Sequence, residues 1–260
     1  MREYRIALMD PTGNITLLVE SPVPADEQPV VAARLAALFP GTEQTGFLYP
    51  GRYDADIALR MAGGEFCGNA AMSAGALHAM TRGEGGVMNV RVYGTAEPVR
   101  VDVTDLGNGA WRGAVDMPRP VSVRRETMPG GGEFPVVRFD GIAHVIVELP
   151  MDRPAAEKAA PAWCERLHAD AVGLMFLDRA AGALAPLVYV PAAGTLCWER
   201  SCASGTTACG AYLAAESGGE VTLPLRQPGG TLTVTAAPDA APRLTGAVRC
   251  LRRETAAVEL

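Results

Sequence analysis

Much that would betray a function is missing from these 260 residues. No stretch of eighteen apolar residues occurs, so nothing reads as a membrane-spanning helix. The N-terminus, MREYRIALMD, lacks the apolar core of a signal peptide, and the expected setting is the cytoplasm. No CxxC pair is present and the three histidines are scattered, which leaves no zinc pattern. No phosphate loop, dinucleotide fingerprint or pyridoxal-type lysine context appears; the glycines at Gly83 to Gly86 and Gly130 to Gly132 read as surface turns. The expectation is an active site without cofactor or metal. An excess of basic charge is missing too: the formal net charge is -6, which argues against a nucleic-acid partner. A small molecule is the partner that remains.

What is present is an ordinary globular balance, 48% hydrophobic and 20% charged residues, enough to bury a substantial core. Short alternating stretches dominate: YRIALMD, NITLLVE, TGFLYPG, DADIALRMAGG and GAWRGAVDMP read as strands, with VMNVRVYGTAEPVRVDV as a hairpin around Gly94. PADEQPVVAARLAALFP reads as a helix closed by Pro40 and Gly41, and a small-residue helix follows Cys67 to about Met80. The second half repeats the order. FPVVRFDGIAHVIVELP gives two strands around a Gly turn. PAAEKAAPAWCERLHA gives a helix interrupted or started at Pro161. AVGLMFLD and LAPLVYVPA are strands, Cys202 opens a helix to about Glu216, EVTLPLRQPGGTLTVTA is a hairpin, and RLTGAVRCLRRE is a strand.

The repeat has a register. Cys67 precedes Gly94 by 27 residues and Cys202 precedes Gly229 by 27. Two diverged copies fit this spacing; a solenoid would need more and shorter repeats. The expected halves are 1–120, completed by the last strand at about 252–260, and 121–251, with the junction near the charged, Pro- and Gly-rich stretch from Arg119 to Glu133. Halves built alike suggest a small-molecule site in the cleft between them.

Cysteine is the residue that the two copies share. GGEFCGNAAMSAGA, from Gly63, and WERSCASGTTACGA, from Trp198, each place a cysteine at the start of a helix of small residues. Unpaired N–H groups and the helix dipole make such a terminus an anion site and lower a thiol pKa toward neutrality. Two thiols flanking one α-carbon can invert it, one removing a proton and the other returning one from the opposite face. A carboxylate held at the helix ends would take up the charge of the carbanion. Cys164, Cys197, Cys209 and Cys250 read as small buried hydrophobes. A redox or binding module with two facing thiols is the competing reading from another class.

At EFCGNAAMS and SCASGTTA the chain resembles the diaminopimelate epimerase and proline racemase superfamily, and the likeness runs from PTGN through AHVIVE to the last hairpin. The resemblance implies an α+β fold of two similar domains, each a curved, mostly antiparallel sheet wrapped around a central helix. It implies Cys67 and Cys202 as the acid/base pair, backbone N–H groups of Gly68, Asn69, Ala203 and Ser204 on the substrate carboxylate with Gly205 beside them, no cofactor, and a homodimer. The epimerases carry Asn-Pro-His where this chain has GIAH, Gly141 to His144, and a Glu-Arg further upstream of the second cysteine than Glu199 and Arg200 stand here. Diaminopimelate epimerisation (LL to meso), or racemisation of another amino acid, is therefore the alternative. PTGN, EQTGF, MAGGEFCGNAAMS, PLVYVP, WERSCASGT and QPGG together resemble the histidine racemases of staphylopine-type metallophore pathways, which implies conversion of L- to D-histidine.

An imidazole substrate suits several further residues. Glu43 could accept a hydrogen bond from the ring N–H and favour its protonated form. Asn14 reads as a contact to the amine or side chain, or as a turn residue. Glu65 and Glu199, just before the cysteines, read as amino-group ligands, thiol-tuning carboxylates or solvated residues. Gln227 reads as a residue that closes the cleft, and His144 as a strand residue with its ring hydrogen-bonded.

Overall fold

In the computed structural model, which describes residues 1–259, the protein is a mixed α and β fold with many strands and few helices. The chain divides into two compact units, one of Met1–Asp116 with the last segment from Thr245, the other Met117–Leu244. The first unit runs β1 (Arg2–Pro11), β2 (Thr16–Val19), α1 (Gln28–Leu38), β3 (Gln44–Pro50), β4 (Ile57–Met61), α2 (Gly68–Arg82), β5 (Gly86–Val92), β6 (Val99–Gly107) and β7 (Ala110–Asp116). The second opens with β8 (Ser122–Thr127) and continues with β9 (Glu133–Phe139), β10 (Ile142–Val147), α3 (Arg153–Leu167), β11 (Ala171–Asp178), β12 (Ala183–Val190), β13 (Thr195–Trp198), α4 (Ala203–Ser217), β14 (Val221–Gln227) and β15 (Gly230–Ala236). The last strand, β16 (Arg243–Val258), pairs antiparallel with β1, from Arg2 opposite Val258 to Pro11 opposite Val248.

The order β-β-α-β-β-α-β-β occurs twice, with β8 and β13 as additions to the second copy. Helical crossovers set the parallel pairs: α1 leads β2 to β3, α2 leads β4 to β5, and α3 leads β10 to β11. Tight turns set the antiparallel ones. The β1–β2 hairpin turns through Thr12 and Gly13 at φ 59 and 94, and β14–β15 closes on Gln227 opposite Gly230. Pro161 neither starts nor breaks α3. The helix starts earlier, where Asp152 accepts a hydrogen bond from the Ala155 N–H at 2.8 Å, and runs through the exposed proline. The stretch after the junction is a strand and not a linker, since β8 pairs with β9 over its whole length.

The two small-residue helices lie deepest. α2 packs against every strand from β1 to β7, and α4 against β8, β9, β10, β11, β14 and β15. A helix met from so many sides has room at most of its positions only for short side chains. A Cβ at Gly75 would sit 2.9 Å from Val101 Cγ1, and one at Gly210 would sit 2.7 Å from Val234 Cγ1. Each glycine stands eight residues after its cysteine, and each faces a valine of the second strand after the helix. In the second unit successive residues of the strands face opposite layers. Val145, Val147, Val172 and Leu174 pack with Trp163 and Leu167 of α3, whereas Ile146, Met175 and Leu177 pack with Cys209 and Tyr212 of α4.

Candidate active site

Cys67 and Cys202 are the N-cap residues of α2 and α4, in nearly the same backbone conformation: φ -133, ψ 113 and φ -125, ψ 111. Each sulfur accepts an orphan N–H from the third residue of its helix, Cys67 Sγ from Ala70 at 3.4 Å and Cys202 Sγ from Gly205 at 3.3 Å. Both helices are 15 residues long and end on a left-handed glycine, Gly83 and Gly218. Both cysteines are buried, and all six cysteines of the chain are thiols. The first turns carry the expected small residues, Gly68 and Asn69 on α2, Ala203, Ser204 and Gly205 on α4. Gly205 is there of necessity: a Cβ would fall 2.1 Å from Met175 Sδ.

Around Cys202 the electrostatics run against the sequence expectation. Burial comes first and the Glu199 carboxylate second, and together they push the thiol pKa well above its ordinary value. Ser204 Oγ, at 3.5 Å, and the Gly205 N–H pull the other way and lose. At neutral pH this sulfur therefore keeps its proton. Glu199 itself is half-buried, its backbone N–H donating to the Pro186 carbonyl at 3.0 Å. Glu65, by contrast, is exposed.

In the first unit the turn after β1 brings two candidates together. Asn14, buried, donates from Nδ2 to Glu43 Oε2 at 2.7 Å. The Glu43 backbone N–H donates to the Ile15 carbonyl at 2.8 Å, so both residues are held by the same stretch of chain. Asn69 is also buried, and its Oδ1 has no hydrogen-bond partner among the described residues.

Gln227 does not lie open as a closing residue; it is buried, with Oε1 accepting the Cys202 N–H at 2.9 Å and Nε2 donating to Thr206 Oγ1 at 2.9 Å. Thr206 was not visible as a candidate, because a threonine inside a run of small residues reads as filler. His144 is fully buried on β10 and, contrary to expectation, neither ring nitrogen has a partner among the described residues. Burial lowers its pKa to about 3, so the ring is neutral. Among the remaining cysteines Cys164 and Cys209 are buried as expected, but Cys197 is exposed on β13 and Cys250 only half-buried. No cluster of three or more His, Cys, Asp or Glu side chains among the described residues could hold a metal ion, and no helix there is long and apolar enough to cross a membrane.

A thiol caps a buried small-residue helix twice in one chain, and comparison with known proteins places the fold and the family. The fold matches that of a predicted epimerase from Pseudomonas aeruginosa, with a TM-score of 0.72 at 18% identity over 98% of this chain and 100% of that one. It matches a hydroxyproline epimerase from Agrobacterium vitis with a TM-score of 0.68 at 15% identity over 98% and 92% of the two chains. Sequence goes further. A histidine racemase of Fusobacterium nucleatum subsp. nucleatum is 30% identical over 220 residues, 79% of each chain, and one of Staphylococcus aureus is 29% identical over 244 residues, 87% of this chain and 86% of that one. The protein is an isomerase of the amino-acid racemase class. Residues 5–244 match the histidine racemase CntK N-terminal domain, and the chain belongs to that family.

Proposed function

We propose that the protein interconverts L- and D-histidine by two-base proton transfer between Cys67 and Cys202, without a cofactor. In this reading each unit is a curved sheet around a helix that starts at one thiol, and the two thiols act on the α-carbon of one bound substrate. One sulfur, as thiolate, removes the α-proton; the other, as thiol, delivers a proton to the opposite face. The sulfurs end with their protonation states exchanged, ready for the reverse reaction. Backbone N–H groups of Gly68, Asn69, Ala203 and Ser204 would hold the carboxylate and stabilise the charge that develops on it. Cys202, kept protonated by burial and by Glu199, suits the donor in one direction.

The observation that carries the reading is the matched pair of cysteine N-caps, each sulfur accepting an N–H from the third residue after it. Histidine as the substrate is supported by the relatives, which are histidine racemases, and by the Asn14–Glu43 pair, whose carboxylate suits an imidazole N–H. A reducing cytoplasm suits thiols that must not pair.

The test is turnover in deuterated water under reductant. L-histidine should return as both enantiomers with deuterium at the α-carbon of the product. Cys67→Ser and Cys202→Ser should each lower racemisation by on the order of 10²–10⁴-fold. Inversion without solvent deuterium, or a single-cysteine variant at wild-type rate, would defeat the two-thiol mechanism. Turnover of diaminopimelate in place of histidine would move the assignment to the epimerase.

A further inference from the structure

Cys67 and Cys202 share a backbone conformation, but the residues at the matched positions around them differ. The N–H of Cys202 donates to Gln227 Oε1 at 2.9 Å, Gln227 Nε2 donates to Thr206 Oγ1 at 2.9 Å, and Thr206 Oγ1 donates back to the Cys202 carbonyl at 2.7 Å. The three residues close a ring that holds both the N–H and the carbonyl of Cys202, and all three are buried. The direction of the ring is fixed. A backbone N–H can only donate, so the Gln227 oxygen must face it; the amide N–H then reaches the threonine, whose own proton goes to the carbonyl. The same hairpin holds the preceding segment, because the Gly229 N–H donates to the Arg200 carbonyl at 2.7 Å. Gln227 stands 25 residues after Cys202 and Thr206 stands four after it; at the matched positions of the first copy are Val92 and Ala71, which have no side-chain hydrogen-bonding group.

We propose that Gln227, acting through Thr206, is the positioning residue of Cys202, and that loss of this ring slows proton transfer at Cys202 and not at Cys67. The proposal rests on the reading of Cys202 as a proton-transfer residue. A ring of buried hydrogen bonds sets where the sulfur of a cap residue points, because side-chain direction follows the backbone it springs from. The Cys67 carbonyl accepts the Ala71 N–H at 2.9 Å, and no glutamine or threonine stands at the matched positions to build the same ring there. Loss of the ring should therefore slow transfer at Cys202 and leave Cys67 as it was.

The test uses the full chain with Gln227→Met, Thr206→Val and Thr206→Ser. Iodoacetamide labelling, resolved by peptide mass spectrometry, gives the rate at each cysteine without any substrate. Gln227→Met and Thr206→Val should change the Cys202 rate severalfold relative to Cys67, while Thr206→Ser, which keeps the hydroxyl, should restore the wild-type ratio. Racemisation should fall on the order of 10–100-fold in the first two variants. Because kcat/KM must fall equally in both directions, the diagnostic is the isotope effect. With α-deuterated enantiomers it should rise for the one whose deuteron Cys202 removes and shrink for the other. An unchanged labelling ratio with unchanged isotope effects in a folded variant would overturn the proposal. So would equal changes at both cysteines, which denote a general loss of structure. Should Gln227→Met not fold, the Thr206 pair decides alone. Should no amino acid be racemised by the wild type, the labelling ratio still decides the positioning role while the proposed function fails separately.

Discussion

The side-chain amide of Asn14 donates to the carboxylate of Glu43 across 2.7 Å. The bond joins the turn after β1 to the residue just before β3, and it leaves the Glu43 carboxylate oriented by a buried neighbour. If that carboxylate receives the substrate imidazole, Glu43→Gln should remove a charge-assisted hydrogen bond worth about 1.5–3 kcal/mol, roughly 10–100-fold in kcat/KM for histidine. Asn14→Ala should act in the same direction and more weakly, because the charge stays but its orientation is loosened. Steady-state kinetics with L- and D-histidine check both. Equal kinetics for Glu43→Gln and wild type would remove Glu43 from the substrate pocket.

Glu199 raises the pKa of the Cys202 thiol, second only to burial. Glu199→Gln keeps the shape and removes the charge, so the thiol should ionise at lower pH. The rate of Cys202 alkylation, followed against pH, should shift its midpoint downward, with the thiolate fraction at neutral pH increased. The sign follows from the charge: a neighbouring anion disfavours a second anion. A midpoint that stays in place would mean that desolvation alone holds the proton.

The cysteine frames, the helix after each, and the alternating strands were legible because each has a strong local signal: a period of two, a turn glycine, or a small-residue run. β8 and β13 were not. β8 has the sequence SVRRET and buries none of its residues, so its pattern is that of a solvated connection; β13 is four residues long, and three of them are exposed. Their strand character comes from pairing with β9 and β12, which no local pattern records. Pro161 misled for a related reason: proline predicts a break, but Asp152 and Pro154 start α3 a turn and more before it. The helix dipole favours a thiolate at a cap, but burial, which no local pattern records, dominates at Cys202 and raises its pKa. Gln227 stood in the matched frame from the outset, yet only the fold shows that its amide reaches back to the cysteine backbone.

The matched glycines Gly75 and Gly210 permit a test of packing apart from chemistry. Helix propensity alone favours alanine over glycine by about 1 kcal/mol. Against this, the added Cβ of Gly210→Ala would meet Val234 Cγ1 at 2.7 Å and Cγ2 at 2.8 Å. Forcing an extra carbon into a packed core costs about 1–3 kcal/mol. The clash should win, so Gly210→Ala should unfold at lower urea concentration than wild type, and Gly75→Ala, with its nearest contact at 2.9 Å, should do the same by a smaller amount. Pairing Gly210→Ala with Val234→Ala should recover part of the loss of the glycine variant. A midpoint that rises in Gly210→Ala alone would show that the helix and the strand can move apart.

His144 gives a pH dependence with a definite sign. Its ring lies on β10 against Phe139, with centroids 6.0 Å apart, and beside Gly173, where a Cβ would meet Nδ1 at 2.3 Å. Burial lowers the folded pKa to about 3 from an ordinary 6.5. Between those values the unfolded chain binds a proton that the folded chain refuses. Stability is therefore fully present above 6.5 and falls as the pH drops toward 3, with a slope from this group of about 1.4 kcal/mol per pH unit. His144→Leu removes the titrating group, so its stability should fall less steeply across that window, whatever its absolute value at neutral pH. Urea unfolding at intervals from pH 7 to pH 4 measures the two slopes. Parallel curves would mean that the ring finds a proton-accepting partner as the pH falls, and that the dry pocket around it opens before the protein unfolds.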